Sequence, residues 1–142
     1  MSDVHNPGVR SYNMSRIKGK DTKPELTIRS FLHARGVRYR LFSKDLPGKP
    51  DLILKKYQTV VFVHGCFWHA HEGCKYFSIP KTNTDWWLSK LSKNKHRDEI
   101  AIKELRNAEW KVIVIWECEL REPLRTKTLD WLLDEIRSQV EY

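Results

Sequence analysis

Apolar residues first recur at helical spacing at Leu26, Ile28, Phe31 and Leu32. Just ahead of them, Thr22-Lys23-Pro24-Glu25 carries the signals of a helix start. Thr22 suits the N-cap, Glu25 stands at the capping-box position, and Pro24 is tolerated in a first turn. Gly36 is placed to end the helix. From Val37 to Phe42 the pattern changes to Val, Tyr and Leu alternating with Arg, which predicts a half-buried strand. Leu46-Pro47-Gly48-Lys49-Pro50 reads as a turn. Two short strand-like runs follow, Asp51–Leu54 and Thr59–His64, and the short Lys55–Gln58 connection predicts a hairpin. Thr84 or Asp85 can cap a long helix reaching about Asn107, with Trp87, Leu88, Leu91, Ile102 and Leu105 on its inner face. Lys111–Trp116 predicts a buried strand, and Leu129, Leu132, Leu133, Ile136 and Val140 form the apolar stripe of a last helix. Residues 1–20 contain Asn6-Pro7-Gly8 and then several basic residues; they read as an arm with one helical turn near Asn13–Lys18. The order predicts an α/β sandwich with a mixed central sheet flanked by helices, residues 21–142 forming a single domain.

The length of 142 residues fits one domain with one core. No apolar run is long enough to span a bilayer, and MSDVHNPGVR lacks a signal-type apolar segment, so a soluble, cytoplasmic protein is expected. Charge adds more. The net charge is +8, and residues 1–60 hold thirteen Lys/Arg against five Asp/Glu, whereas residues 61–142 hold thirteen of each. The whole positive excess therefore lies in the first part of the chain, as expected of a surface that faces phosphates. Three cysteines cannot close a disulfide framework within one chain, which favours reduced thiols or metal ligands.

The densest chemistry is HGCFWHAHEGC, residues 64–74. Cys66, His71 and Cys74 are spaced Cys-x4-His-x2-Cys, and thiolates with imidazole suit tetrahedral zinc. Cys118, just past the Val112–Trp116 run, is the remaining cysteine and the expected fourth ligand. His69 is an alternative to His71. Rich in Gly and polar residues, the segment has little with which to order itself, so zinc would act as a structural clip.

Pro50-Asp51 opens a strand after a tight turn, where many metal-dependent nucleases place an Asp followed by acidic-x-Lys on the next strand. Here the next strand reads Val61-Phe62-Val63-His64, with neither a second carboxylate nor a lysine. An antiparallel hairpin would bring Asp51 and His64 to one end. Asp51 and a free backbone carbonyl could then hold Mg²⁺ among waters, with His64 or His69 to activate or orient one of them. Glu25 and Asp98 are candidate outer carboxylates. The adjacent pairs Phe67-Trp68 and Trp86-Trp87 cannot each turn both rings into one core, so at least one of each pair is expected to be exposed and able to stack on bases. Lys75, Lys81, Lys90, Lys93, Lys95 and Arg97 follow, opposed through residue 97 only by Asp85.

Arg10-Ser11-Tyr12-Asn13-Met14, Leu46-Pro47-Gly48-Lys49-Pro50-Asp51, HGCFWHAHEGC and Trp116-Glu117-Cys118 together closely resemble the very-short-patch repair (Vsr) DNA mismatch endonucleases, over about residues 5–121. The resemblance implies a restriction-endonuclease-like fold with structural zinc. It implies Mg²⁺-dependent nicking of duplex DNA 5′ to the thymine of a T:G mismatch left by 5-methylcytosine deamination. A cytosine-5 methyltransferase would be a functional partner, a polymerase and ligase would follow, and the enzyme would work as a monomer. Asp51 and the Val63 carbonyl would hold Mg²⁺, His64 would orient water, and His69 would be the catalytic histidine, with Glu25 and Asp98 in support. Cys66, His71, Cys74 and Cys118 would bind zinc. Phe67, Trp68 and Trp87 would wedge into the DNA, and the arm with Arg10, Asn13, Met14, Arg16 and Lys18 would reach the opposite groove. A restriction-type nuclease on the same fold and a non-catalytic zinc-stabilised DNA-binding module are the alternatives.

Overall fold

A computed structural model of the chain describes residues 22–41 and 45–138. The arm at 1–20, with Arg10, Asn13, Met14, Arg16 and Lys18, lies outside the described residues, as does Val140. Helix α1 is Lys23–Ala34. Thr22 caps it by accepting the Glu25 N–H at 3.5 Å, and Gly36, at φ +73°, follows its last turn. Strands β1 (Leu52–Leu54) and β2 (Thr59–His64) pair antiparallel, joined by a 3₁₀ turn over Lys55–Tyr57. Helix α2 is Thr84–Asn107, strand β3 is Lys111–Trp116, a 3₁₀ turn covers Glu117–Leu120, and helix α3 is Arg125–Arg137. Among the described residues the sheet has three strands in the order β1-β2-β3, with β3 parallel to β2.

The sheet is covered on both faces, so its central strands read as continuous apolar runs. Leu52, Leu54, Val61, Ile113 and Ile115 face one side, where Ile28 and Leu32 of α1 and Leu129, Leu132 and Ile136 of α3 complete a core. The intervening residues Ile53, Val60 and Phe62 turn the other way and pack with Leu105 of α2, and with Ile102, Val112 and Val114. His64 continues this second set along β2, so the period of two delivers it to the face that α2 covers.

Three expectations are corrected. The strand expected over Val37–Phe42 shrinks, within the described residues, to one bridge between Arg40 and Ile53. Its alternation is real, since Val37 is buried and Tyr39 and Leu41 pack on the core. With β1 only three residues long, however, the ladder closes only at Arg40 N–H to Ile53 O (2.8 Å) and Ile53 N–H to Arg40 O (2.9 Å). The N-cap of α2 is Asn83 rather than Thr84 or Asp85, because the Thr84 hydroxyl donates back to the Pro80 and Lys81 carbonyls, both at 3.0 Å. Leu88 is 48% exposed, off the face formed by Trp87, Leu91, Ala101 and Leu105.

Candidate functional site

The open end of the β1–β2 hairpin gathers the first group. The Asp51 N–H donates to the Val61 carbonyl, which keeps Asp51 in register beyond the end of β1. Its carboxylate accepts the Val63 N–H at 2.6 Å. A strand residue projects its N–H and C=O to the same side, so the Val63 carbonyl faces the Asp51 edge as well. Asp51 is pushed up from the ordinary 3.8 to about 7, chiefly by burial, with the nearby Glu25 carboxylate adding to the rise and the Val63 N–H opposing it. Glu25, 3% exposed on α1, is anchored by Arg29 at 3.1 Å. A buried carboxylate beside a second one is a donor set that a divalent cation would relieve.

The second group stands next to it. His64 is buried, and its ring lies parallel to that of His69 with centroids 3.8 Å apart. His69 Nδ1 is 2.5 Å from Asp98 Oδ2 on α2. Burial, then the neighbouring His69, lowers His64 to about 4, so it is a neutral imidazole at pH 7. Among the described residues its Nδ1 has no hydrogen-bond partner. His64, His69 and Asp98 each bring a ligand atom within 4.8 Å of the others.

The third group is the loop leaving β2. Cys66, His71, Cys74 and Cys118 likewise bring one ligand atom each within 4.8 Å of one another, with Cys118 Sγ 3.5 Å from His71 Nδ1. Three thiols and an imidazole suit tetrahedral zinc. Burial, followed by the neighbouring Cys66 and Cys74 sulfurs, pushes the Cys118 thiol up to about 12; burial also raises Cys66. Cys74 moves down, because the burial that would raise it is outweighed by the Tyr76 N–H and the two other thiols. Thiols packed this closely resist ionising together unless a cation compensates them. The two histidines part company at Ala70, whose φ of +51° turns the chain between them. His69 thereby reaches Asp98 while His71 joins the cysteines. Trp116, at the end of β3, stacks on His71 at 3.9 Å and stands edge-on to His64 at 5.1 Å, linking the two clusters. The sequence shows Trp116 as the end of an apolar run and as part of the Trp116-Glu117-Cys118 motif, but nothing in its spacing shows that its ring lies between the two clusters.

The aromatic residues form one cluster. Phe67, Trp68 and Trp87 have ring centroids 5.1–5.8 Å apart. Phe67 and Trp87 are only 8% and 7% exposed, whereas Trp68 is half-buried and its carbonyl accepts from Asn94 Nδ2 at 3.2 Å. The exposed member of the second pair is Trp86, at 59%, packed edge-on against Trp87. The structure thus brings the three expected wedge residues together, but it corrects the expectation that Phe67-Trp68 has an exposed member: Phe67 packs with Trp87 and Leu91, and Trp68 is half-buried against that cluster. It turns outward a fourth, Trp86, which the pairing rule flagged without choosing.

A family model described as DNA mismatch endonuclease Vsr matches residues 2–75. The type II nicking enzyme V.NmeAIP of Neisseria meningitidis serogroup A is 47% identical over 141 residues, covering 99% of this chain and 100% of the relative. The DNA mismatch endonuclease Vsr of Escherichia coli is 39% identical over 142 residues, covering 95% and 90%. The type II nicking enzyme V.XorIIP of Xanthomonas oryzae pv. oryzae is 43% identical over 122 residues, covering 86% and 89%.

Proposed function

The chain belongs to the DNA mismatch endonuclease Vsr family, and from that premise we propose that it is a DNA endonuclease that nicks duplex DNA 5′ to the thymine of a T:G mismatch. The reaction is Mg²⁺-dependent phosphodiester hydrolysis on a restriction-endonuclease-like scaffold, and it opens short-patch repair after deamination of 5-methylcytosine. The observation that carries this reading is the meeting of Asp51, the His64–His69 stack and Asp98 at one sheet end, next to the aromatic cluster. Asp51 and the Val63 carbonyl would hold Mg²⁺, with Glu25 behind them. Bound there, Mg²⁺ would supply the Lewis acid that draws charge from the scissile phosphate. Asp98 fixes the His69 ring through Nδ1, leaving Nε2 to take a proton from the attacking water. His64, neutral and with a free ring nitrogen, orients that water. Cys66, His71, Cys74 and Cys118 would bind structural zinc and so aim Phe67, Trp68 and Trp87, joined by Trp86, at the base stack. The arm carrying Arg10, Asn13, Met14, Arg16 and Lys18 reaches the opposite groove. The protein acts as a cytoplasmic monomer, serving sites made by a cytosine-5 methyltransferase and handing the nick to a polymerase and ligase.

Asp51→Ala tests the assignment. Loss of one electrostatic partner of a transition state costs about 10²–10³ in rate, so nicking of a T:G duplex falls by at least about 100-fold. Affinity for the same duplex changes little, because Asp51 adds no attraction for phosphates. Nicking by Asp51→Ala at the wild-type rate contradicts the reading.

A further inference from the structure

Beside the His69–Asp98 pair lies a cavity of about 630 Å³ whose walls include Lys49, Trp68, Arg97 and Glu104. We propose that Lys49 and Arg97 bind a backbone phosphodiester of the nicked strand, next to the scissile one, and thereby fix the register of that strand against His69. The inference rests on the nicking activity proposed above. The two cations come from separate parts of the chain, Lys49 from the loop before β1 and Arg97 from α2, yet they converge on one cavity. Among the described residues neither forms an ion pair, whereas nearby Lys95 is tied to Glu72 at 2.5 Å. Of the two carboxylates lining the cavity, Asp98 is held by His69, which leaves Glu104 against two cations. That balance leaves one positive charge, matching the single negative charge of a phosphodiester. The position of Lys49 is itself built. Its φ is +50°, a left-handed conformation that costs a non-glycine residue energy and that clusters at functional sites. It follows Gly48, at φ +72°, where an added Cβ would lie 2.6 Å from the Ala101 Cβ, so the loop is pressed directly onto α2. Lys49 also supplies, from two residues before Asp51, a cation near the site where the β2 strand has no lysine.

The test is binding of the full-length chain to a T:G duplex through a salt titration without Mg²⁺, with nicking of the same duplex measured in parallel with Mg²⁺. Lys49→Gln and Arg97→Gln are each expected to lower the slope of log Kd against log salt by about 1. Lys56→Gln, at the turn end of the hairpin, leaves the slope unchanged. Methylphosphonates placed one at a time along the thymine strand identify the ligand. One position weakens wild-type binding by about tenfold and has almost no further effect on either variant, as loss of a charge-assisted contact requires. Lys49→Arg restores the response. Inorganic phosphate that competes equally with every duplex, with no methylphosphonate position standing out, overturns the assignment to the strand. Arg97→Gln sits on an exposed helix face and carries the test alone if Lys49→Gln melts early. Wild-type nicking with unchanged slopes in the variants overturns the phosphate site only. Reduced slopes with no wild-type nicking support the phosphate site and overturn the parent reading.

Discussion

Asp51 shows how the site is set against the fold at the scale of one residue. Its carboxyl is raised to about 7, mainly by burial and then by Glu25. The folded state therefore holds the proton more tightly than the unfolded chain does. Below about pH 4 both states are protonated; as pH rises from there to about 7 the Mg²⁺-free fold loses stability, and above 7 the loss is complete. Asp51→Asn removes the buried charge while keeping an acceptor for the Val63 N–H. In Mg²⁺-free buffer at pH 8 it is expected to be more stable than wild type by about 1–3 kcal/mol, read as a Tm higher by several degrees. Adding Mg²⁺ raises the Tm of wild type but not of the variant. An Asp51→Asn protein that melts below wild type in Mg²⁺-free buffer contradicts this. The proximity of Asp51 and His64 is legible in the sequence, because an antiparallel hairpin of Asp51–Leu54 with Thr59–His64 fixes which residues share an end. Motif spacing does not separate His69 from His71. That choice is made by the left-handed Ala70 and by the Trp116 ring from a distant strand, neither of which is visible in the spacing.

At the scale of elements, the segment between β2 and α2 has little regular structure. It is held at Cys66, His71 and Cys74 to Cys118 beyond β3, and at the Trp68 carbonyl to Asn94 of α2. Its aromatic rings complete a small core with Trp87 and Leu91. Structural zinc contributes folding energy directly. Cys118→Ser is expected to lose bound zinc, measured by atomic absorption, and to cost about 4 kcal/mol or more in a denaturation curve. A variant with full zinc content and unchanged stability would remove Cys118 from the ligand set. The strands and helices themselves were largely legible, since period-2 and helical patterns report burial faithfully. The exceptions are instructive. Val37–Leu41 buries alternate side chains without a continuous ladder, and a sequence records side-chain faces rather than backbone partners. Leu88 lies beside the buried stripe of α2, and among the described residues it stays 48% exposed.

For the whole molecule, two faces of one sheet divide the work. The α1–α3 face holds the main apolar core, while the α2 face carries His64, Asp98 and the cavity with Lys49 and Arg97. The helix order, the antiparallel hairpin and the mixed character of the sheet followed from the sequence pattern, whereas the parallel pairing of β3 with β2 did not, and the charge asymmetry pointed to phosphate. The convergence of Lys49 with Arg97 was not legible, because it depends on Gly48 resting on Ala101. The central claim is that this assembly nicks one strand at a mismatch. The most direct test is a strand-resolved nicking assay on T:G duplexes with varied flanking bases and on fully paired controls, with and without Mg²⁺. The account predicts a single Mg²⁺-dependent nick 5′ to the mismatched thymine and intact paired duplex; cleavage of both strands at a fully paired site, or no cleavage of any mismatched duplex with Mg²⁺ present, would contradict it.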